Sequence, residues 1–153
     1  MPTITLLGQG GSLVCELGAV ADDQEFVTCT MHIVMDERVA VTFPRAEQTW
    51  MRLRDIDRLV SYIRNHIGPD TRHGIETSDV FVPLELGFEL QCLTGEQECW
   101  ADGYFVMNWM LFAGSPDRTL DVNVGCSLPV LVSDALEWCE SLERVRRHIT
   151  VAK

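Results

Sequence analysis

Catalysis and metal binding need side chains that bind an ion, move a proton or attack a carbonyl, and in this chain those residues are scattered. His32, His66, His73 and His148 lie far apart, with no His-x-x-x-His and no Cys-x-x-Cys spacing, so no short motif puts two metal ligands on one helix face or one turn. His32 falls on the polar face of a strand pattern, His66 at a helix end and His73 in a loop, and all four read as surface residues. No Gly-x-Ser-x-Gly elbow is present; Ser115 and Ser127 fall in turn or capping positions. The six cysteines, at 15, 29, 92, 99, 126 and 139, mostly alternate with apolar rows. They read as small buried hydrophobes and not as activated thiols. Cys126 is the least committed, lying between a strand and a helix start.

Carboxylates are plentiful, but Glu85 and Glu89 on one strand face stand about 13 Å apart at strand rise, too far for a close acid pair. Gly8-Gln9-Gly10-Gly11 lacks the Lys-Ser/Thr ending and following helix of a phosphate loop and reads as a turn. The residue types therefore predict no catalytic residue, no metal site and no cofactor, and direct attention to a binding surface.

The elements that would carry such a surface are clearest over residues 80–124. Val80, Val82, Leu84, Leu86, Phe88, Leu90 and Cys92 form an apolar row at period two, and Cys99, Ala101, Phe105, Met107, Trp109 and Leu111 form another. A hairpin with Thr94 opposite Gln97 matches the rows, pairing Val82 with Trp109, Leu84 with Met107, Leu86 with Phe105 and Cys92 with Cys99. In that register Glu89 opposes Asp102, and a Cys92–Cys99 disulfide is within reach, although reduced thiols are the expectation. A turn at Gly114-Ser115-Pro116-Asp117 then sets Leu120, Val122 and Val124 against Leu111, Trp109 and Met107.

Earlier in the chain, Leu6 with Leu13 and Ile4 with Cys15 make a first hairpin. Val27, Cys29, Met31, Ile33 and Met35 make a third strand, and Val39, Val41 and Phe43 a fourth, with Ile33 opposite Val41 and Met31 opposite Phe43. Residues 49–52 resume extended structure. Leu53, Ile56, Leu59, Val60, Ile63 and Ile67 recur at steps of three and four and predict a helix over 54–67, with Asp55, Asp57, Arg58 and Arg64 on its polar side and Gly68-Pro69 ending it. Residues 70–78 read as an exposed loop. A second helix is predicted to start near Leu128-Pro129. Leu131, Ala135, Cys139 and Leu142, flanked by Val132, Leu136 and Val145, form its buried stripe. The fold class expected is α+β: a single antiparallel meander of about seven strands with two amphipathic helices packed on one face, in one domain spanning residues 1–153.

A formal charge of −11 repels phosphate backbones, which disfavours direct nucleic-acid binding and favours a basic protein partner. No apolar run is long enough to cross a bilayer and no leader pattern opens the chain, which predicts a cytoplasmic protein without membrane contact. The face opposite the apolar rows carries the candidate partner-binding residues: Glu85, Glu89, Trp100, Asp102, Tyr104, Asn108, Met110, Asp121 and Asn123. Aromatic and methionine side chains mixed with acids suit contact with a basic protein, or with a second copy in a homodimer.

The opening Ile4-Thr5-Leu6-Leu7-Gly8-Gln9-Gly10-Gly11-Ser12-Leu13, the helix Leu53-Arg54-Asp55-Ile56-Asp57-Arg58-Leu59, and the later hairpin followed by a closing amphipathic helix resemble the WapI-type immunity proteins of bacterial polymorphic toxin systems. That resemblance implies a non-enzymatic antidote that binds a toxin domain, commonly a nuclease. Two other classes fit the sequence: an acidic secretion chaperone or adaptor, and a small-ligand-binding or hydrolytic domain with a pocket between sheet and helices.

Overall fold

The computed structural model describes residues 2–23, 25–41, 43, 48–68, 78–84, 87–93, 103–112 and 123–151. Among the described residues seven strands and two helices follow in order: β1 (Thr3–Gly8), β2 (Gly11–Val20), β3 (Phe26–Met35), β4 (Thr49–Arg52), α1 (Leu53–Ile67), β5 (Phe88–Leu93), β6 (Tyr104–Phe112), β7 (Asn123–Leu131) and α2 (Val132–Val151). The fold is α+β with antiparallel sheets, but the strands form two sheets, β1-β2-β3-β4 and β5-β6-β7, where one was expected.

The break lies between β1 and β7. The Gln9 N–H donates to the Pro129 carbonyl at 2.8 Å, and proline has no N–H to return the bond, so the ladder stops at one rung. The β1–β2 hairpin has the expected register, Leu6 opposite Leu13 and Ile4 opposite Cys15. Its two-residue connection places Gly10 at φ 81°, a conformation that favours glycine.

Several expectations fail on register, and for one reason. Period two fixes which face a side chain takes but not how long the turn is. Leu90 pairs with Trp109 and Cys92 with Met107, so β5 starts at Phe88 instead of Val80, and Glu89 faces Met110, not Asp102. The slip is even-numbered, and Phe88, Leu90, Cys92, Phe105, Met107, Trp109 and Leu111 still share the buried face. Cys99 lies outside the described residues. Against β6, β7 pairs Leu111 with Val124, Trp109 with Cys126 and Met107 with Leu128, again keeping parity. It runs through Pro129 to Leu131, so α2 starts at Val132 and not near Leu128. Pro129 is tolerated because the Gln9 bond shows its backbone polar groups pointing away from β6, where no ladder donor is needed.

The expected pairing of Val41 and Phe43 with β3 is absent. Asp36 accepts the Arg38 backbone N–H and holds its guanidinium in a fork at 2.9 and 2.8 Å, the chain turns, and Val41 is exposed. β3 pairs with β4 instead, nearer its start than the expected rungs, with Met51 opposite Val27 and Thr49 opposite Cys29.

The inner rows of both sheets and the apolar stripes of both helices form one core. Trp109 and Trp138 meet edge-on at its centre, ring centroids 5.9 Å apart at 83°. Trp138 was not foreseen in the α2 stripe, whereas Leu136, placed there by the sequence reading, is exposed.

Two groups on α1 are buried against expectation. Asp55 is 0% exposed; its carboxylate binds Arg58 Nη1 at 2.5 Å and accepts the Leu84 N–H at 3.0 Å. His66 is 1% exposed, bonded through Nδ1 to Ser78 Oγ at 2.6 Å. Tyr62 lies between them, donating its hydroxyl to the Asp79 carbonyl at 2.7 Å and accepting the Cys92 N–H at 2.9 Å.

Asp55→Ala leaves the Leu84 amide without its acceptor and is expected to cost about 2–4 kcal/mol in urea unfolding, with Asp55→Asn recovering part because its amide oxygen still accepts. Burial lowers the His66 pKa, the Leu93 carbonyl offsetting part of that. The unfolded state therefore takes the proton more readily. Stability should fall as pH drops through the unfolded value of about 6.5, and this component should vanish in His66→Gln.

Candidate functional site

One face of β5-β6-β7 is spent on the core; the opposite face holds the candidate site. Alternation sends Glu89 and Gln91 of β5, Tyr104, Asn108 and Met110 of β6, and Asn123, Gly125 and Ser127 of β7 to this outer side. Antiparallel pairing lines them into cross-strand rows. Glu89, Met110 and Gly125 form one, and Gln91, Asn108 and Ser127 the next. Along these rows runs an open groove of about 410 Å³, walled at one side by Val80.

The segment 78–81 supplies that wall by lying along the free edge of β5. Phe81 and Leu90 exchange backbone hydrogen bonds at 2.8 and 3.0 Å, and the Ser78 N–H donates to the Cys92 carbonyl at 2.9 Å. The Gln91 side chain anchors it further, donating Nε2 to the Ser78 carbonyl at 3.2 Å.

Within the groove Ser127 Oγ donates to Asn108 Oδ1 at 2.6 Å, which fixes the amide's orientation and turns its NH2 group outward as a donor. Met110 lies across Gly125, and any Cβ at Gly125 would collide with the Met110 Sδ; the absence of a side chain there is what lets the thioether settle against the sheet. Met110 is 39% exposed and Glu89 is exposed. The groove thus offers an adaptable apolar anchor, a carboxylate and neutral hydrogen-bonding groups, a composition suited to recognition.

Of the nine candidate residues, the structure brings Glu89, Asn108 and Met110 together in the groove. Tyr104 and Asn123 share the face but pair with Leu131 and Phe112 at its opposite ends; Tyr104 lies about 20 Å along β6 from Met110. Glu85, Trp100, Asp102 and Asp121 lie outside the described residues. Gln91 was placed on this face by period two but not chosen. Ser127 was missed because its strand was read as a helix start.

Among the described residues, the reactive groups elsewhere are packed into the fold. The Ser78–His66 pair has a nucleophile beside a base, but the imidazole is closed off at one flank by the Phe105 ring, with centroids 5.3 Å apart, and burial favours its neutral form. Cys15 and Cys29 are buried with thiols 3.8 Å apart. Burial pushes the Cys92 thiol up to about 12 and that of Cys139 to about 11, the reverse of nucleophile activation. Among the described residues no cluster of three or more His, Cys, Asp or Glu could hold a metal ion.

Of the five described cysteines, Cys126 alone is partly exposed, and burial raises its pKa. It should be the one among them that a maleimide labels in the native protein, more slowly than a free thiol at pH 7.5, and Cys126→Ser should abolish that labelling. Comparison with known proteins gives no family in which to place this site: no family model matches the chain, and no curated protein does.

Proposed function

We propose that this chain is a non-enzymatic binding protein of immunity type, which neutralises a basic toxin domain in the cytoplasm by capping it with the outer face of β5-β6-β7. The observation that carries the reading is the exposed Met110 set beside Glu89 and the oriented Asn108 in an open groove, on a chain of net charge −11. A basic partner is drawn by the charge and anchored by the thioether. The resemblance to WapI-type immunity proteins points the same way, and a nuclease toxin, basic because it grips phosphates, is the partner chemistry it implies. Among the described residues no helix is long and apolar enough to cross a membrane.

A secretion chaperone would use apolar grooves and an obligate dimer; the mixed polar lining of this groove favours the immunity reading. The test is capture of a basic toxin domain encoded beside this chain. The expected result is a one-to-one complex that weakens with salt. Glu89→Lys combined with Met110→Asp should weaken capture at least tenfold while unfolding free energy stays within about 1 kcal/mol, since both are exposed surface positions. Undiminished capture by the double variant would remove this face from the interaction.

A further inference from the structure

The outer edge of the first strand lies on the other sheet from the outer groove. In an antiparallel hairpin closed by a two-residue turn, opposed residues alternate between bonded and non-bonded pairs. Gly8 and Gly11 close the turn, and at the far end the Leu17 N–H donates to the Pro2 carbonyl at 3.0 Å. The even-numbered residues of β1 therefore face β2, and Thr3, Thr5 and Leu7 turn their N–H and C=O groups to the outer edge. The Gln9 N–H, next in that series, is taken by Pro129. Thr3, Thr5 and Leu7 have no outward backbone partner among the described residues, and Leu7 is 58% exposed.

One face of α2 stands beside this edge. Asp134, Glu137, Trp138, Ser141 and Arg144 line, together with Thr3, Thr5 and Leu7, a groove of about 270 Å³. Trp138 is 1% exposed, and its indole N–H finds no acceptor among the described residues. Among the described residues Asp134, Glu137 and Arg144 form no ion pair. An unpaired strand edge beside a helix is the arrangement that accepts an added strand: backbone bonds to the edge give affinity and the helix face reads alternate side chains.

We propose that this groove binds an extended segment of a partner protein as an added strand on β1, with a Lys or Arg held by Asp134 and Glu137 and an acidic group held by Arg144. At helical rise the acidic pair and Arg144 stand about 13 Å apart, which is four residues of a strand. The opposite charges therefore sit four positions apart on one face of the peptide. A second copy of this chain is a poorer occupant, since its own edge residues Thr3, Thr5 and Leu7 carry no charge to meet Asp134, Glu137 or Arg144.

The probe is a displayed library of random nonapeptides, selected on the full chain and counter-selected on Thr5→Pro. That variant deletes one outward N–H and leaves the β1–β2 ladder whole. Enriched peptides should alternate and carry a basic and an acidic residue four positions apart. As synthetic peptides they should slow amide exchange at Thr3, Thr5 and Leu7 at least tenfold and bind at least tenfold more weakly to Asp134→Lys/Glu137→Lys. If Thr5→Pro does not fold, that charge-reversed variant serves as the counter-selection. No enrichment, protection on β6 or β7 instead of β1, or a free protein that sediments as a dimer with the β1 amides already protected would each overturn the proposal.

Discussion

The join between α1 and the second sheet rests on three polar side chains along one side of the helix. Asp55, Tyr62 and His66 hold Leu84, Asp79 and Ser78 in turn. From 55 to 66 the helix rises about 17 Å, and from 84 to 78 an extended chain covers about 20 Å, so helix and segment run antiparallel in near register. That segment then pairs with β5 through Ser78 and Phe81. The strand that opens the second sheet is thus tied to the helix that closes the first half of the chain. Arg58 adds to the same join, holding Asp55 and lying 5.3 Å over the Phe81 ring. A buried carboxylate is costly unless it is bonded. Arg58 bonds Oδ1 from within the helix, and Oδ2 gains its Leu84 partner when the segment docks, which couples the helix face to placement of the segment.

The two sheets meet along two seams, each at a glycine whose missing side chain lets the other sheet come close. At one, the β1–β2 turn lies against Leu128 and Pro129; at the other, Gly87 abuts Thr49, with a Cβ at Gly87 only 2.6 Å from Thr49 Oγ1. Neither seam is a hydrogen-bonded ladder, so the sheets are held chiefly by the shared core, in which Phe88 meets Trp109 at a tilt and Trp109 meets Trp138 edge-on. This has a cost at the edges. A proline on β7 ends pairing after one bond and leaves β1 with an open edge, which a continuous sheet would have covered. The recognition surface inferred on β1 follows from the same residue that splits the sheet.

How much of this was legible in the sequence follows from what each signal encodes. Alternation at Phe88, Leu90 and Cys92 told which side faces the core and remained right through an even slip in register, because parity survives what register does not. The first hairpin was legible in full, since a glycine-rich turn of short length fixes both at once. Val39, Val41 and Phe43 alternate equally well and form no strand; alternation carries no local signal of whether a run finds a partner, and β3 pairs with β4 at Phe26–Cys29 instead. Asp55 and His66 looked like solvent-facing positions, and their burial is set by a segment far along the chain. Of the candidate site, Glu89, Asn108 and Met110 were legible from parity alone. Ser127 was not, because Pro129 resembles a helix start until the edge of β7 is known.

Charge and shape do different work on the outer face. On the proposed reading, a net charge of −11 would draw a basic partner over distances of about a Debye length, roughly 8 Å at physiological salt, and that attraction would raise the rate of encounter more than the final affinity. Within the described groove, however, Glu89 is the single acid lining the rows that Met110, Asn108 and Ser127 otherwise fill. A surface that bound by charge alone would concentrate acids there. Placing a thioether over a glycine and locking an amide with a serine hydroxyl instead favours a contact that excludes water and tests shape once the partner has arrived. Specificity among basic partners would then come from the neutral groups, and salt would act mainly on how fast they meet.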